Sequence, residues 1–106
     1  MLSSARAVTK LPAQDLERAR RFYGDRLGLE PVEEREGGLR YVCGATEFHI
    51  FLSSGKPSGA ATQMGFEVED DIVVVPGNYP SKGTGERGAF FRDSEGNLLG
   101  LGQATE

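Results

Sequence analysis

The sequence predicts an α+β chain, built mainly of short strands around one amphipathic helix. Three observations predict it. Fifteen glycines in 106 residues are roughly twice the usual share, and they fall mostly between apolar runs, as turns do. Leu16, Ala19, Phe22, Tyr23 and Leu27 recur along one helical face. Several short runs, rich in β-branched and aromatic residues, alternate or stay apolar over strand lengths.

The elements follow in order. Ala7–Leu11 is a β-favouring run that Pro12 is expected to stop. Asp15 reads as an N-cap and Gly28 as a C-cap, with Pro31 forbidding continuation. The helix therefore spans about 15–27, with Glu17 and Arg21 four apart as a surface pair. Pro31–Arg35 is a charged run suited to an edge strand. Gly37-Gly38 turns the chain into Leu39–Cys43, and Gly44–Thr46 turns it again. Glu47–Leu52 places Phe48, Ile50 and Leu52 on one face and His49 and Phe51 on the other. One of these faces should meet the helix, and the other a cavity or a partner. Residues 53–61 are a loop by composition. Met64–Val68 alternates as a strand, residues 76–88 read as loop, and Asp93–Asn97 is a hairpin turn between Ala89–Arg92 and Leu98–Leu101.

Composition bounds the function. A chain of this length holds a single domain, 1–106. Its net charge of −4 lacks the footprint of a general nucleic-acid binder. No apolar run approaches the ~18 residues of a membrane span, and Met1–Arg6 holds no secretory signal. The expected setting is the cytoplasm, with no nucleic-acid or membrane partner. Cys43 is the sole cysteine, which excludes an intrachain disulfide and a Cys-rich zinc site.

Three groups of residues together resemble a known family. Asp15–Ala19, Phe22-Tyr23 and Leu27–Leu29 are similar to the first strand-helix unit of the vicinal oxygen chelate superfamily. That superfamily holds glyoxalase I, the extradiol dioxygenases and the bleomycin and fosfomycin resistance proteins. Gly65–Val68 resembles its fifth strand, and Phe91–Leu101 its closing hairpin. The resemblance implies paired βαβββ modules curling round a cleft: module one about 7–53, a linker 54–62, and module two about 63–103. The second module is shortened. Asp70-Asp71-Ile72 begins like its helix, yet the chain reaches Pro76-Gly77 within a few residues, so a helix and a strand are missing or not represented between about 72 and 75. A face left uncovered there makes a homodimer the expected assembly.

Metal-dependent members of that superfamily place ligands at four cleft-facing strand positions. Here the resemblance assigns these to Val8 (Ala7 if the register slips), Phe51, Gln63 and Gly100. Only Gln63 has a side-chain oxygen, and a stable site needs about three or four donors. The expectation is therefore no metal and no other cofactor. The cleft positions carried over are Val8, Tyr41, His49, Phe51, Gln63, Phe90, Arg92 and Gly100.

The candidate catalytic residues are few. His49 is the lone histidine and reads either as a group contacting ligand or moving protons near neutral pH, or as a strand histidine with a satisfied hydrogen bond. Glu67 reads either as a buried carboxylate or as an exposed edge residue. Cys43 is a small hydrophobe rather than a nucleophile. Gly83–Gly88 matches G-x-G-x-x-G but lacks the strand before and helix after that phosphate binding requires. It reads instead as a loop over the cleft, with Lys82 and Arg87 available to an anion and Tyr79 to cover a pocket. Asp93 and Asn97 shape the hairpin turn. The functional expectation is a metal-free protein that buries a small apolar or aromatic molecule in the inter-module cleft. A glyoxalase- or dioxygenase-type enzyme with a non-standard ligand set, and a dimeric interaction module, are the alternatives.

Overall fold

Asp15 opens the helix as its side chain predicts. Its Oδ1 accepts from the Arg18 backbone N–H at 3.0 Å, and α1 runs Leu16–Leu27. Gly28 closes it at φ 71°, the left-handed conformation in which a Cβ is costly. The computed structural model describes residues 1–67 and 86–104. The chain divides into two compact units, Met1–Pro57 and Ser58–Glu106.

The first unit has the order β1 (Thr9–Ala13), α1, β2 (Glu33–Arg35), β3 (Gly38–Cys43) and β4 (Thr46–Leu52), after a single 3-10 turn at Leu2–Ser4. Its sheet order is β1-β4-β3-β2, with β1 parallel to β4 and the other pairs antiparallel. This is the expected βαβββ module. The first strand differs from expectation: it begins at Thr9 and passes through Pro12, opposite Phe51, to Ala13. As an edge strand it tolerates a residue that cannot donate to the ladder. Val8 immediately precedes it.

One face of this sheet carries the core. Leu11 and Ala13 of β1, Leu39 and Tyr41 of β3, and Phe48 and Ile50 of β4 are buried with Ala19 and Tyr23 of α1. Tyr41 stacks on Phe48 with ring centroids 4.9 Å apart and planes within 3°. Tyr23 leans on both, at 5.5 and 5.9 Å. Such aromatic pairs add about 0.5–1.5 kcal/mol each beyond their burial. The Phe48/Ile50 face of β4 thus meets the helix, although Leu52, at the strand's end, is exposed.

The second unit has β5 (Thr62–Glu67), β6 (Glu86–Arg92) and β7 (Leu98–Ala104) in the order β5-β7-β6, with β5 parallel and β6 antiparallel to β7. The loop expected through residue 88 ends earlier: β6 begins at Glu86, because β7 continues to Ala104 and offers it a partner. The Asp93–Asn97 turn forms as expected. Asp93 Oδ1 accepts from the backbone N–H groups of Glu95 and Asn97, and Oδ2 accepts from Asn97 Nδ2, each at 2.9 Å. The expected shortening at 72–75, together with Asp70, Tyr79, Lys82 and most of the glycine motif, lies outside the described residues. No helix among the described residues is long and apolar enough to cross a membrane.

Candidate functional site

The opposite face of the first sheet is the candidate site. Strand alternation and register assemble it in two rows. Lys10, His49, Arg40 and Glu33 lie side by side across β1, β4, β3 and β2. Beside them run Pro12, Phe51, Gly38 and Arg35. All of these except Pro12 border a hollow of about 430 Å³, within the range of small-molecule pockets. Gly38 helps to open it. A Cβ there would stand 3.2 Å from the Ile50 carbonyl oxygen and 4.0 Å from the Phe51 Cα. Phe51 presents an apolar ring to the hollow and is 39% exposed.

Charged side chains line the rest. Arg40 Nε donates to Glu33 Oε1 at 3.0 Å, and its Nη1 donates to Glu47 Oε1 at 3.3 Å. Arg35 closes on Glu33, and Arg6 on Glu47 at 2.8 Å. His49 Nε2 lies 2.8 Å from Glu47 Oε2. Hydrogen bonds from Arg6 and then His49 hold the Glu47 carboxyl down at about 2. Arg35 and then Arg40 lower Glu33 in the same direction. Glu47 is therefore ionised and acceptor-only at neutral pH, so Nε2 of a neutral His49 must carry the proton and Nδ1 is left as the acceptor.

The structure brings His49 and Phe51 together at this hollow. Tyr41 departs from expectation. It pairs with Phe48 in the ladder, so its side chain lies on the helix side, fully buried, and forms no part of the hollow's wall. Its hydroxyl has no hydrogen-bond partner among the described residues, and burial pushes its pKa up to about 12.

In the second unit, register aligns Gly65, Gly100 and Phe90 across the sheet. The Phe90 ring sits over Gly100, where a Cβ would meet Cδ1 and Cε1 at 3.6 Å. Arg92 Nη2 donates to the Gly59 carbonyl at 2.8 Å. Gln63 is half-buried at a register shift, its Oε1 without a partner among the described residues. Glu67 is exposed at the end of β5, an edge strand of its sheet. Cys43 is half-buried. Lys10, Arg40 and Glu33 carry no sequence signal of their own as binding groups. The signal that finds them is the register of β1 and β3 on β4.

The metal donor set does not fit. Val8, Phe51 and Gly100 have no donor atoms in their side chains. Among the described residues, no three His, Cys, Asp or Glu side chains come together to hold an ion.

A βαβββ unit followed by a second sheet with a parallel first strand and a closing hairpin defines a known architecture. The chain has the vicinal oxygen chelate fold, shared by glyoxalases and by bleomycin and fosfomycin resistance proteins. Within that class, residues 9–43 match the family model for the bleomycin resistance protein-like N-terminal region. The antibiotic-binding protein TnmS3 from Streptomyces sp. CB03234 is 22% identical, covering 96% of this chain and 98% of its own, with a TM-score of 0.67. A bleomycin-binding protein in complex with bleomycin is also 22% identical, covering 94% and 98%, with a TM-score of 0.66. The fosfomycin resistance protein FosX from Listeria monocytogenes has a TM-score of 0.75 at 14% identity, covering 96% and 93%. No curated protein matches the chain.

Proposed function

We propose that this protein binds a small molecule with an apolar or aromatic body, and does so without a metal ion. The observation that carries this reading is the hollow on the outer face of the first sheet, where Gly38 leaves room and Phe51 offers an exposed ring. An exposed aromatic on a concave surface favours ligand burial, since covering it removes apolar area from water at about 25 cal/mol per Å². Two structures with the same fold, TnmS3 and the bleomycin-binding protein, are binders of antibiotics, which supports sequestration over turnover. The poor donor set supports the absence of metal.

The test has two parts. Metal content is measured after incubation with Mn, Fe, Ni and Zn and exhaustive dialysis, and no retained ion is expected. A library of aromatic compounds is then screened by thermal shift. Phe51→Ala should weaken the hits while leaving the melting temperature of the free protein nearly unchanged. One tightly held ion per chain would replace this reading with metal-dependent chemistry. Hits indifferent to Phe51→Ala would move the site elsewhere.

A further inference from the structure

The outer face carries more positive charge than its own structure uses. Three guanidinium groups, Arg6, Arg35 and Arg40, share the carboxylates of Glu33 and Glu47. Among the described residues, that leaves one positive charge in excess. Lys10 adds a second, and its side chain makes no ion pair or hydrogen bond among the described residues. This excess sits on a chain whose net charge is −4.

The arrangement is also specific. His49 is flanked in the ladder by Lys10 on β1 and Arg40 on β3. Directly opposed residues of an antiparallel pair, such as Arg40 and His49, hold their Cβ atoms about 4.5–5.5 Å apart, and like charges there destabilise a sheet. Glu47 is committed to Arg6, Arg40 and His49, and Lys10 is not among its partners. Lys10, His49 and Phe51 border one hollow. An apolar ligand alone would leave the ammonium unneutralised, and would desolvate it at a cost.

We infer that the ligand of this site is an aromatic or apolar acid. Its anionic group, a carboxylate or a phosphate monoester, is taken by Lys10 beside His49, and its apolar body lies against Phe51. The inference rests on the binding function proposed above and names the chemical class of the ligand. Lys10 supplies a mobile point charge, and Arg40 is held in place by its two carboxylates. The face therefore discriminates by charge more than by a fixed bidentate geometry.

The test compares probes that share one ring system and differ only in charge. Naphthalene-1-acetate, naphthalene-1-acetamide and 1-naphthylmethylamine are titrated by calorimetry, with 1-naphthyl phosphate as the second anion. Binding is located by amide shifts at Lys10, His49 and Phe51. The acids should bind about fivefold tighter than the amide, as one partly exposed charge-assisted hydrogen bond permits. The amine should bind most weakly. Carboxylate against phosphate affinity decides which anion the face prefers. Lys10→Met should abolish the preference for acid while leaving amide affinity unchanged, and Lys10→Arg should keep it. At about 1 M salt the preference should shrink, because the screening length falls to about 3 Å. Equal affinity of acid and amide at this face would overturn the inference and leave the binding function standing. No binding of any probe at the face would overturn both.

Discussion

Glu47 Oε2 and His49 Nε2 lie 2.8 Å apart on the same face of the same strand. Strand alternation alone makes residues two apart neighbours, but the pair is fixed by what Glu47 does with its other contacts. Arg6 and Arg40 both donate to its Oε1. The carboxylate is thereby kept ionised, and its second oxygen is aimed at the imidazole. Neutral His49 should then exist as the Nε2–H tautomer. Long-range nitrogen–proton spectra should show that tautomer dominating in the native protein. Glu47→Gln should mix the two forms, because an amide can donate as well as accept. An unchanged tautomer in that variant would mean that the ring is held by something other than Glu47.

The same pair makes stability depend on pH. The Glu47 carboxyl is lowered from 4.5 to about 2, chiefly by Arg6 and His49, and Glu33 is lowered as well by Arg35 and Arg40. A group depressed on folding contributes stability that is complete above its unfolded pKa and is lost as pH falls through the folded one. Thermal melts should therefore decline as the pH drops from 4.5 towards 2. The slope in Glu47→Gln should be shallower over that window. Arg6 is largely exposed, so solvent screening keeps the effect modest. Parallel curves for the two proteins would remove Glu47 from the acid response.

Local chemistry made much of this fold legible. The helix was readable because its signals sit within its own sequence: Asp15 caps the start and Gly28 ends it. The Asp93–Asn97 turn was readable for the same reason. Tyr41 was not, because alternation gives β3 two faces without saying which meets the helix. Only its pairing with Phe48 decides that, and register is a long-range property. Pro12 misled in a related way. It signals a strand end unless the strand lies at an edge, and edge position comes from topology. The charged row of Lys10, His49 and Arg40 was hidden for the same reason, since its members come from three strands.

Tyr41 supplies a prediction about stability. Its ring packs between Tyr23 and Phe48, while its hydroxyl is buried without a hydrogen-bond partner among the described residues. Burial of such a group costs about 1–3 kcal/mol. Tyr41→Phe keeps both ring contacts and removes the hydroxyl. The variant should be as stable as the native protein or about 1 kcal/mol more stable by urea denaturation. A loss of more than about 1 kcal/mol would show that the hydroxyl has a partner.

Gly38 predicts what opens the site. It lies in the ladder opposite Phe51 and borders the hollow. A Cβ there would stand 3.2 Å from the Ile50 carbonyl oxygen, so the backbone must give by a few tenths of an ångström. Gly38→Val adds that strain and fills the space beside the Phe51 ring. Aromatic ligands should be lost, and the melting temperature should fall only slightly. Retained affinity would place the ligand away from Phe51.

Asp93 is the polar centre of the second unit's turn, and the residue is 6% exposed. Its two carboxylate oxygens accept three hydrogen bonds at 2.9 Å, two from backbone N–H groups and one from the Asn97 amide. Its own N–H donates to the Asn97 carbonyl at 3.0 Å. Gly96 completes the turn at φ 92°, where a side chain would be strained. Asp93→Ala leaves the Glu95 and Asn97 N–H groups without the carboxylate that satisfies them, which costs about 2–3 kcal/mol. Asp93→Asn keeps one carbonyl oxygen and should cost less. Urea midpoints should fall in that order, and amide exchange should accelerate first at β6 and β7, which the turn joins. Equal stability of all three proteins would mean that the backbone of this turn holds itself without the carboxylate.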